Sequence, residues 1–299
     1  MKSATIEVGG REIKLTNLDR VLFPDSGVTK GDVVQHYRDI ADVMVPLVRG
    51  RPVTLQRYHG PIDGPGIYQK EAPEYFPAWV ERIAVHRRDD DATLLHPSIS
   101  DAASLVYLAN QGSVSFHVWP TRAPDLAHPD LIVFDLDPPG DDVATVRLAA
   151  RLVRDVLDDA GLVPFLQTTG SKGLHIVAPL DRTATVEQVQ AFARAAAGAV
   201  AAEHPARFTV ETRKAKRDGR LFLDTGRNGY AQMFVAPYSV RARPGATVAT
   251  PIEWDELSRV EPRRYTVTNL RRRLARKADP WAAMPASARA LPSPRAAAT

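Results

Sequence analysis

The chain of 299 residues contains no cysteine. Disulfides, thiolate metal sites and a cysteine nucleophile are therefore excluded, and this absence is typical of a protein from a reducing compartment. No apolar run approaches the roughly 20 residues that a membrane-spanning helix needs, and residues 1–10 lack the apolar segment of a secretory signal. We therefore expect a cytoplasmic protein with no membrane partner.

Charge is spread unevenly along the chain. The formal net charge is only +4, but residues 207–227 hold seven Lys or Arg against three acids. Residues 259–277 hold eight Lys or Arg against Glu261 alone. Clusters of this kind are typical of a surface that follows a polyanion such as nucleic acid. For the second cluster, a solvated helix surface explains the charges equally well.

Hydrophobic periodicity predicts an N-terminal half of short elements. The two halves of residues 4–15, separated by Gly9-Gly10, are typical of a hairpin. Thr29 and Asp32 predict the start of one helix that continues to about Val48. Further along we expect a helix over 101–111, a strand over 113–119 and a loop over 121–129.

The second half predicts an α/β sandwich. The pattern indicates strands over 131–137, 164–168, 174–178, 221–224 and 230–240, with helices over 143–160 and 185–203. This β-α-β-β-α-β-β series is typical of helices packed on a mainly antiparallel sheet. We expect one domain over residues 1–282 and a flexible tail over residues 283–299, which are rich in Ala and Pro.

Asp135 and Asp137 end an apolar strand at positions i and i+2, so their carboxylates point to the same face. Side by side they would repel each other, unless a hard divalent cation such as Mg²⁺ or Mn²⁺ lies between them. Asp224 ends the strand 221–224 in the same manner. If the two strands are neighbours, three carboxylates converge and can hold one or two metal ions. The alternative is that all three begin ordinary surface turns.

Residues 169–173, Thr-Gly-Ser-Lys-Gly, join two predicted strands. Two glycines allow backbone N–H groups to approach an anion, while Lys172 adds a charge and Ser171 a hydroxyl donor. His175 follows just inside the next strand. The segment is typical of a triphosphate-binding loop, but it lacks the Gly-x4-Gly-Lys spacing of a Walker loop. His175 considered alone is more often a hydrogen-bonded strand histidine.

Three arginines, Arg227, Arg241 and Arg243, follow the acidic strand ends. The last two share a face if the backbone is extended, and guanidinium groups suit phosphate oxygens. His117 lies on a predicted strand, where a core histidine is the ordinary interpretation.

Taken together, the motifs resemble a known family. Asp135-Leu136-Asp137-Pro138, Ser171-Lys172-Gly173-Leu174-His175 and Phe222-Leu223-Asp224 resemble, in order and spacing, the three motifs of the archaeo-eukaryotic primase superfamily. Residues 16–24 and 235–241 are similar to the polymerase domain of the bacterial non-homologous end-joining ligase D. The resemblance covers residues 13–274. It implies a primase-polymerase fold with an RRM-like catalytic half and an N-terminal β-rich module that share one core.

The resemblance implies a template-dependent, primer-extending nucleotidyltransferase that prefers ribonucleotides and repairs broken DNA. Asp135, Asp137 and Asp224 match the carboxylates that hold two Mn²⁺ or Mg²⁺ ions. The positions that match contacts to the NTP or dNTP are His117, Ser171, Lys172, His175, Arg227 and Arg241.

The DNA-binding positions also have counterparts here. Arg20 and Lys30 match two basic residues that grip the 5′-phosphate of the downstream strand, with Arg20 in place of a lysine. Tyr68 matches one of two aromatics that stack on the template, while Ile67 occupies the place of the other. The expected partners are DNA ends or gapped duplexes, with Ku and a DNA ligase as further candidates, in association with the bacterial nucleoid.

Two other functions are compatible with parts of the pattern. An Asp-x-Asp motif also occurs in metal-dependent glycosyltransferases that use nucleotide-sugars, but that activity does not explain Asp224 or the basic clusters. A non-catalytic nucleic-acid-binding module with structural carboxylates explains the basic clusters alone. It would bind DNA without metal-dependent incorporation.

Overall fold

A computed structural model of the chain describes residues 2–88 and 92–292. Its α-helices are α1 (Lys30–Asp39), α2 (Ala41–Val48), α3 (Ala102–Asn110), α4 (Val143–Asp159), α5 (Val186–Glu203) and α6 (Leu270–Leu274). Its strands are β1 (Ala4–Val8), β2 (Arg11–Leu15), β3 (Val21–Phe23), β4 (Val28–Thr29), β5 (Val53–Arg57), β6 (Ile67–Gln69), β7 (Arg82–His86), β8 (Thr93–Pro97), β9 (Ser113–Val118), β10 (Leu131–Asp137), β11 (Phe165–Thr168), β12 (Leu174–Pro179), β13 (Phe208–Thr209), β14 (Leu221–Asp224), β15 (Phe234–Val235) and β16 (Thr250–Ile252).

The half that the resemblance expects to be catalytic is built on a six-stranded sheet in the order β13-β14-β10-β12-β11-β16. All neighbours are antiparallel except β13 and β14. Alternation along β10 sends Ile132 and Phe134 into the core under α4 and α5, while Leu131 and Val133 join the core on the other face. The α/β sandwich predicted from the sequence is confirmed.

The N-terminal module is a four-stranded sheet in the order β15-β9-β5-β6, with α1, α2 and α3 and three separate two-stranded hairpins. Tyr37 and Phe116 of this module are fully buried in the same cluster as Val133 and Val177 of the catalytic half. The two halves therefore share one core, as expected.

Two elements differ from the sequence prediction. The single helix predicted from Thr29 to Val48 is two helices, because Ile40 leaves helical geometry at φ −104° and ψ 5°. The break preserves the apolar spacing on both sides, so the periodicity does not reveal it. The strand predicted over 230–240 is limited to β15, since Ala231 and Tyr238 adopt positive φ angles of 58° and 65°. β15 pairs with β9 and so belongs to the second sheet.

The first part of the predicted flexible tail, within residues 283–292, packs against the rest of the domain. Met284 is buried, and Arg289 pairs with Leu180 in a β-bridge. Residues 293–299 of the predicted tail lie outside the described residues. Among the helices described, none has the length and apolar character that crossing a membrane requires.

Candidate active site

Four polar side chains form a row across the six-stranded sheet. Asp135 on β10 lies opposite Asp224 on β14 and opposite His175 on β12, and His175 in turn lies opposite Gln167 on β11. The condition set by the sequence, that the strands of Asp135 and Asp224 are neighbours, is met. This row faces away from α4 and α5, because it occupies the positions that alternate with Phe134 and Leu136.

Arg227 binds the two carboxylates at the centre of the row. Its Nη2 lies 3.2 Å from Asp135 Oδ2 and 3.3 Å from Asp224 Oδ2. Burial alone would raise the pKa of Asp135. His175, 3.5 Å away, and Arg227 outweigh that effect and lower the pKa to about 2. Burial raises the pKa of Asp224 above its ordinary value, and the charge of Asp135 adds to the rise. Arg227 therefore neutralises a pair of carboxylates that would otherwise repel each other.

Asp137 is the most open member of the predicted acidic trio, with 54% of its side chain exposed. Arg217 Nη1 binds its Oδ2 at 3.1 Å, and the same guanidinium lies 3.9 Å from the ring centroid of Phe222. Within residues 2–88 and 92–292, no three acidic or histidine side chains are arranged to hold a metal ion as they stand. The donor set nevertheless suits a hard cation, because it consists of carboxylate oxygens that already bind guanidinium cations.

The loop 169–173 is held beside these carboxylates by its own backbone, by Arg241 and by Arg263, whose Nε donates to Ser171 O. Thr169 donates its amide and its hydroxyl to the Gly173 carbonyl, at 3.1 and 3.0 Å. Arg241 Nη1 donates to Thr169 O at 2.7 Å. Gly173 permits close approach to β10, since a Cβ there would lie 1.9 Å from Leu136 O. Gly170 has a φ of +64°, which favours glycine.

A cleft of about 430 Å³ joins the row of polar side chains that includes Asp135 and Asp224, here called the acidic row, to loop 169–173, here called the phosphate-type loop. The predicted residues that line it are Tyr68, His117, Asp135, Asp137, Ser171, Lys172, His175, Arg227 and Arg241. Asp224 lies at its edge through the shared contact to Arg227. Thus the structure brings together all the predicted metal-binding and nucleotide-binding residues.

The histidines and Tyr68 form the wall of the cleft. Burial, and then the charges of Arg241 and Arg227, lower the pKa of His117 to about 3, so its imidazole is neutral at pH 7. The Nδ1 atoms of His117 and His175 are buried without a hydrogen-bond partner in the described part of the chain. The Tyr68 ring, on a residue that is 56% exposed, lies 5.8 Å from the His117 ring. These groups offer unpaired polar atoms and an open aromatic face to a ligand.

A second, more basic cavity of about 500 Å³ adjoins the first at Asp137, Ser171 and Lys172. The other cations on its wall are Lys214, Arg217, Arg220, Arg243 and Arg263. Sequence reasoning singled out Arg243, but it found Arg217, Arg220 and Arg263 only as members of basic clusters and missed the contact of Arg217 to Asp137. The only available signal was the charge density of residues 207–227.

Arg20 and Lys30 are neighbours on the N-terminal module, apart from the cleft. The Lys30 amide donates to Arg20 O at 2.8 Å, and Lys30 Nζ donates to Thr16 O at 2.6 Å. Lys30 is 5% exposed. Burial, followed by the charge of Arg20, lowers the pKa of Lys30 to about 8. No carboxylate pairs with Lys30 among the residues described, so the site has an excess of positive charge.

Comparison with known proteins assigns this arrangement. Residues 29–281 match the family described as LigD, primase-polymerase domain. The chain belongs to that family. Its fold matches the "Polymerase Domain from Mycobacterium tuberculosis Ligase D in complex with DNA" with a TM-score of 0.86 and 35% identity, over 92% of this chain and 99% of that one. The resemblance read from the three motifs, the fold and the nucleotidyltransferase class of the enzyme are confirmed.

Curated relatives of the chain are longer proteins. The "Multifunctional non-homologous end joining protein LigD" of Mycobacterium bovis is 36% identical over 281 residues, which cover 90% of this chain and 36% of that protein. The "Bifunctional non-homologous end joining protein LigD" of Bacillus subtilis is 29% identical over 90% of this chain and 44% of that protein. This LigD-type chain therefore spans between a third and a half of the length of these relatives.

Proposed function

We propose that the chain is a template-dependent polymerase that extends a primer across gaps at broken DNA ends, with ribonucleotides preferred over deoxyribonucleotides. The observation that carries the proposal is the row of Asp224, Asp135 and His175 beside a phosphate-type loop, in a member of the LigD primase-polymerase family. The names of the relatives and of the solved DNA complex support repair by non-homologous end joining. Ku and a DNA ligase are the further partners that the family resemblance implies.

Two divalent ions, Mn²⁺ or Mg²⁺, fit the proposed site at Asp135, Asp137 and Asp224. When bound there, they would lower the pKa of the primer 3′-hydroxyl and neutralise charge on the triphosphate. The chain holds Asp135 ionised and pre-positioned: β10 and β14 fix it opposite Asp224, and neighbouring cations lower the pKa of Asp135 to about 2.

The remaining residues of the cleft act on the nucleotide by position and charge. Ser171 and Lys172 lie on the loop that Arg241 and the Gly173 carbonyl hold in place, so their donors are fixed toward the cleft. The cations Lys172, Arg227 and Arg241 stabilise the charge that develops on the leaving diphosphate. Tyr68 offers its exposed face to a template base, a contact worth about 1–3 kcal/mol.

The test is an extension assay on a gapped duplex that carries a 5′-phosphate. We expect incorporation with Mn²⁺ or Mg²⁺, faster with NTPs than with dNTPs, and none with a chelator. The variant D135A/D137A should lose extension and still bind the duplex, since the cationic surfaces remain. The control variant D155A/D159A removes two exposed carboxylates of α4, and it should extend normally.

The outcomes separate the alternatives. Full extension by D135A/D137A would overturn the metal assignment. Binding of DNA by the wild type with no incorporation under any metal would favour a non-catalytic binding module. Transfer from UDP-sugars, without nucleotide incorporation, would favour the glycosyltransferase, which family membership and the pairing of Asp224 with Asp135 already disfavour.

A further inference from the structure

A large part of the positive charge of the chain lies in its C-terminal segment, mostly outside the catalytic cleft. Residues 259–277 carry eight Lys or Arg and one Glu, a net charge of +7, whereas the whole chain carries +4. The rest of the chain is therefore net negative at −3. None of the residues 259–277 lines the catalytic cleft, so nucleotide binding in the cleft does not explain their charge.

This segment forms a groove of about 450 Å³ with the end of the β16 region. We call it the C-terminal groove; its charged residues are Glu256, Arg259, Glu261, Arg264, Arg273, Arg276 and Lys277. Arg273 binds both oxygens of Glu256, at 2.6 and 2.7 Å, and Lys277 binds the same carboxylate at 3.2 Å. Through these ion pairs, Arg273 and Lys277 neutralise the charge of Glu256.

Three other arginines remain available. Arg259, Arg264 and Arg276 are exposed, and none has a carboxylate partner in the part of the chain that the structure describes. Glu261 is the one unpaired acid of the groove. Three guanidinium groups beside one carboxylate leave a net positive surface, which favours an anion that carries several charges.

The groove is next in the chain to the basic cavity beside the catalytic cleft. Arg263 donates through Nε to Ser171 O at 3.1 Å and lines the basic cavity beside Asp137. The next residue, Arg264, lines the C-terminal groove. The two cationic surfaces are therefore adjacent in the chain. Their like charge favours one polyanion, the molecule that occupies the cleft, as the occupant of both.

We infer that the C-terminal groove binds the phosphodiester backbone of the nucleic acid beyond the catalytic cleft. The inference rests on the proposed function for the identity of the occupant. Arginine suits this role because its planar fork matches phosphate oxygens. The groove lengthens the stretch of nucleic acid that the chain contacts and raises the affinity for it, and it takes no part in the reaction.

Fluorescence anisotropy with two gapped duplexes tests the inference, one with arms of about two helical turns and one with arms of about half a turn. The variant R264A/R276A should reduce the slope of log K against log salt by about two on the long-armed duplex, with weaker binding at every salt concentration. On the short-armed duplex it should bind like the wild type.

R194E is the matched control, because it changes the net charge by the same two units at an exposed position of α5. Its slope should equal that of the wild type. An unchanged slope for R264A/R276A, or an equal loss for R194E, would overturn the inference even if the wild type extends primers. A slope difference without any extension would overturn the proposed catalytic function and support the groove.

Discussion

Lys30 makes the predicted 5′-phosphate site sensitive to pH. It is 5% exposed, its Nζ donates only to Thr16 oxygens among the residues described, and burial with the nearby charge of Arg20 lowers its pKa to about 8. A lysine with this pKa loses its proton just above physiological pH. A 5′-phosphate keeps its charge there, because its second pKa is about 6. The preference for a phosphorylated end should therefore fall as the pH rises.

The size of the effect follows from the protonated fraction. With a pKa of about 8, that fraction falls from about 0.9 at pH 7 to about 0.1 at pH 9, a tenfold loss worth about 1.4 kcal/mol. Stability moves in the opposite direction. The folded pKa lies below the ordinary 10.5, so burying the charged amine lowers stability below pH 8, and this cost disappears as the pH rises from 8 to 10.5.

The assay compares dissociation constants for gapped duplexes with a 5′-phosphate and a 5′-hydroxyl at pH 7, 8 and 9 and constant ionic strength. The ratio should fall about tenfold for the wild type. Lys30→Arg should keep a constant ratio, because arginine does not titrate in this range. Lys30→Met should show a smaller preference, left by Arg20 alone, that does not change with pH. A wild-type ratio that does not change with pH would refute the reasoning, as would one that falls equally in Lys30→Arg.

Three further predictions concern the scaffold and the acidic row. Gly173→Ala should lose nucleotide binding and at least about 2 kcal/mol of stability in thermal melts, because its Cβ would meet Leu136 O at 1.9 Å; Gly140→Ala, with open space around its Cβ, is the control. Asp130→Asn should cost about 3–5 kcal/mol in urea unfolding, since it leaves Arg51, 1% exposed, without its bidentate partner; a loss as small as that of the exposed-pair variant Asp158→Asn would contradict this. Arg217→Ala should tighten Mn²⁺ binding about twofold in calorimetric titrations, because breaking an exposed ion pair is worth about 0.5 kcal/mol; unchanged affinity would mean that Arg217 does not restrain Asp137.

Local patterns were sufficient for most of the catalytic half. Alternation along residues 131–137 predicts both the strand and the shared face of Asp135 and Asp137, and the capping box at Thr185 and Gln188 predicts the start of α5. These features depend on residues within one or two turns of each other. The sequence therefore carries them without knowledge of the partner strands.

Long-range pairings were beyond the same reasoning. That Asp135 lies opposite Asp224 follows from β14 pairing with β10, between residues about ninety positions apart. Neither strand specifies its neighbour through periodicity. Arg217 was one of seven cations in its cluster, and only the fold selects it as the partner of Asp137. Likewise β15 is short because Ala231 and Tyr238 adopt positive φ angles, and neither residue type predicts that conformation.

The charges of the acidic row couple the binding of divalent ions to the binding of the nucleotide. Arg227 lies 3.2 Å from Asp135 and 3.3 Å from Asp224, and it is also expected to bind the triphosphate. It cannot neutralise both carboxylates and also turn toward the phosphates unless another cation takes its place, because two largely buried carboxylates with no cation between them repel each other. Divalent ions and the nucleotide should therefore bind cooperatively. Arg227→Lys keeps the charge but loses the fork that spans the two carboxylates, and it should weaken that cooperativity.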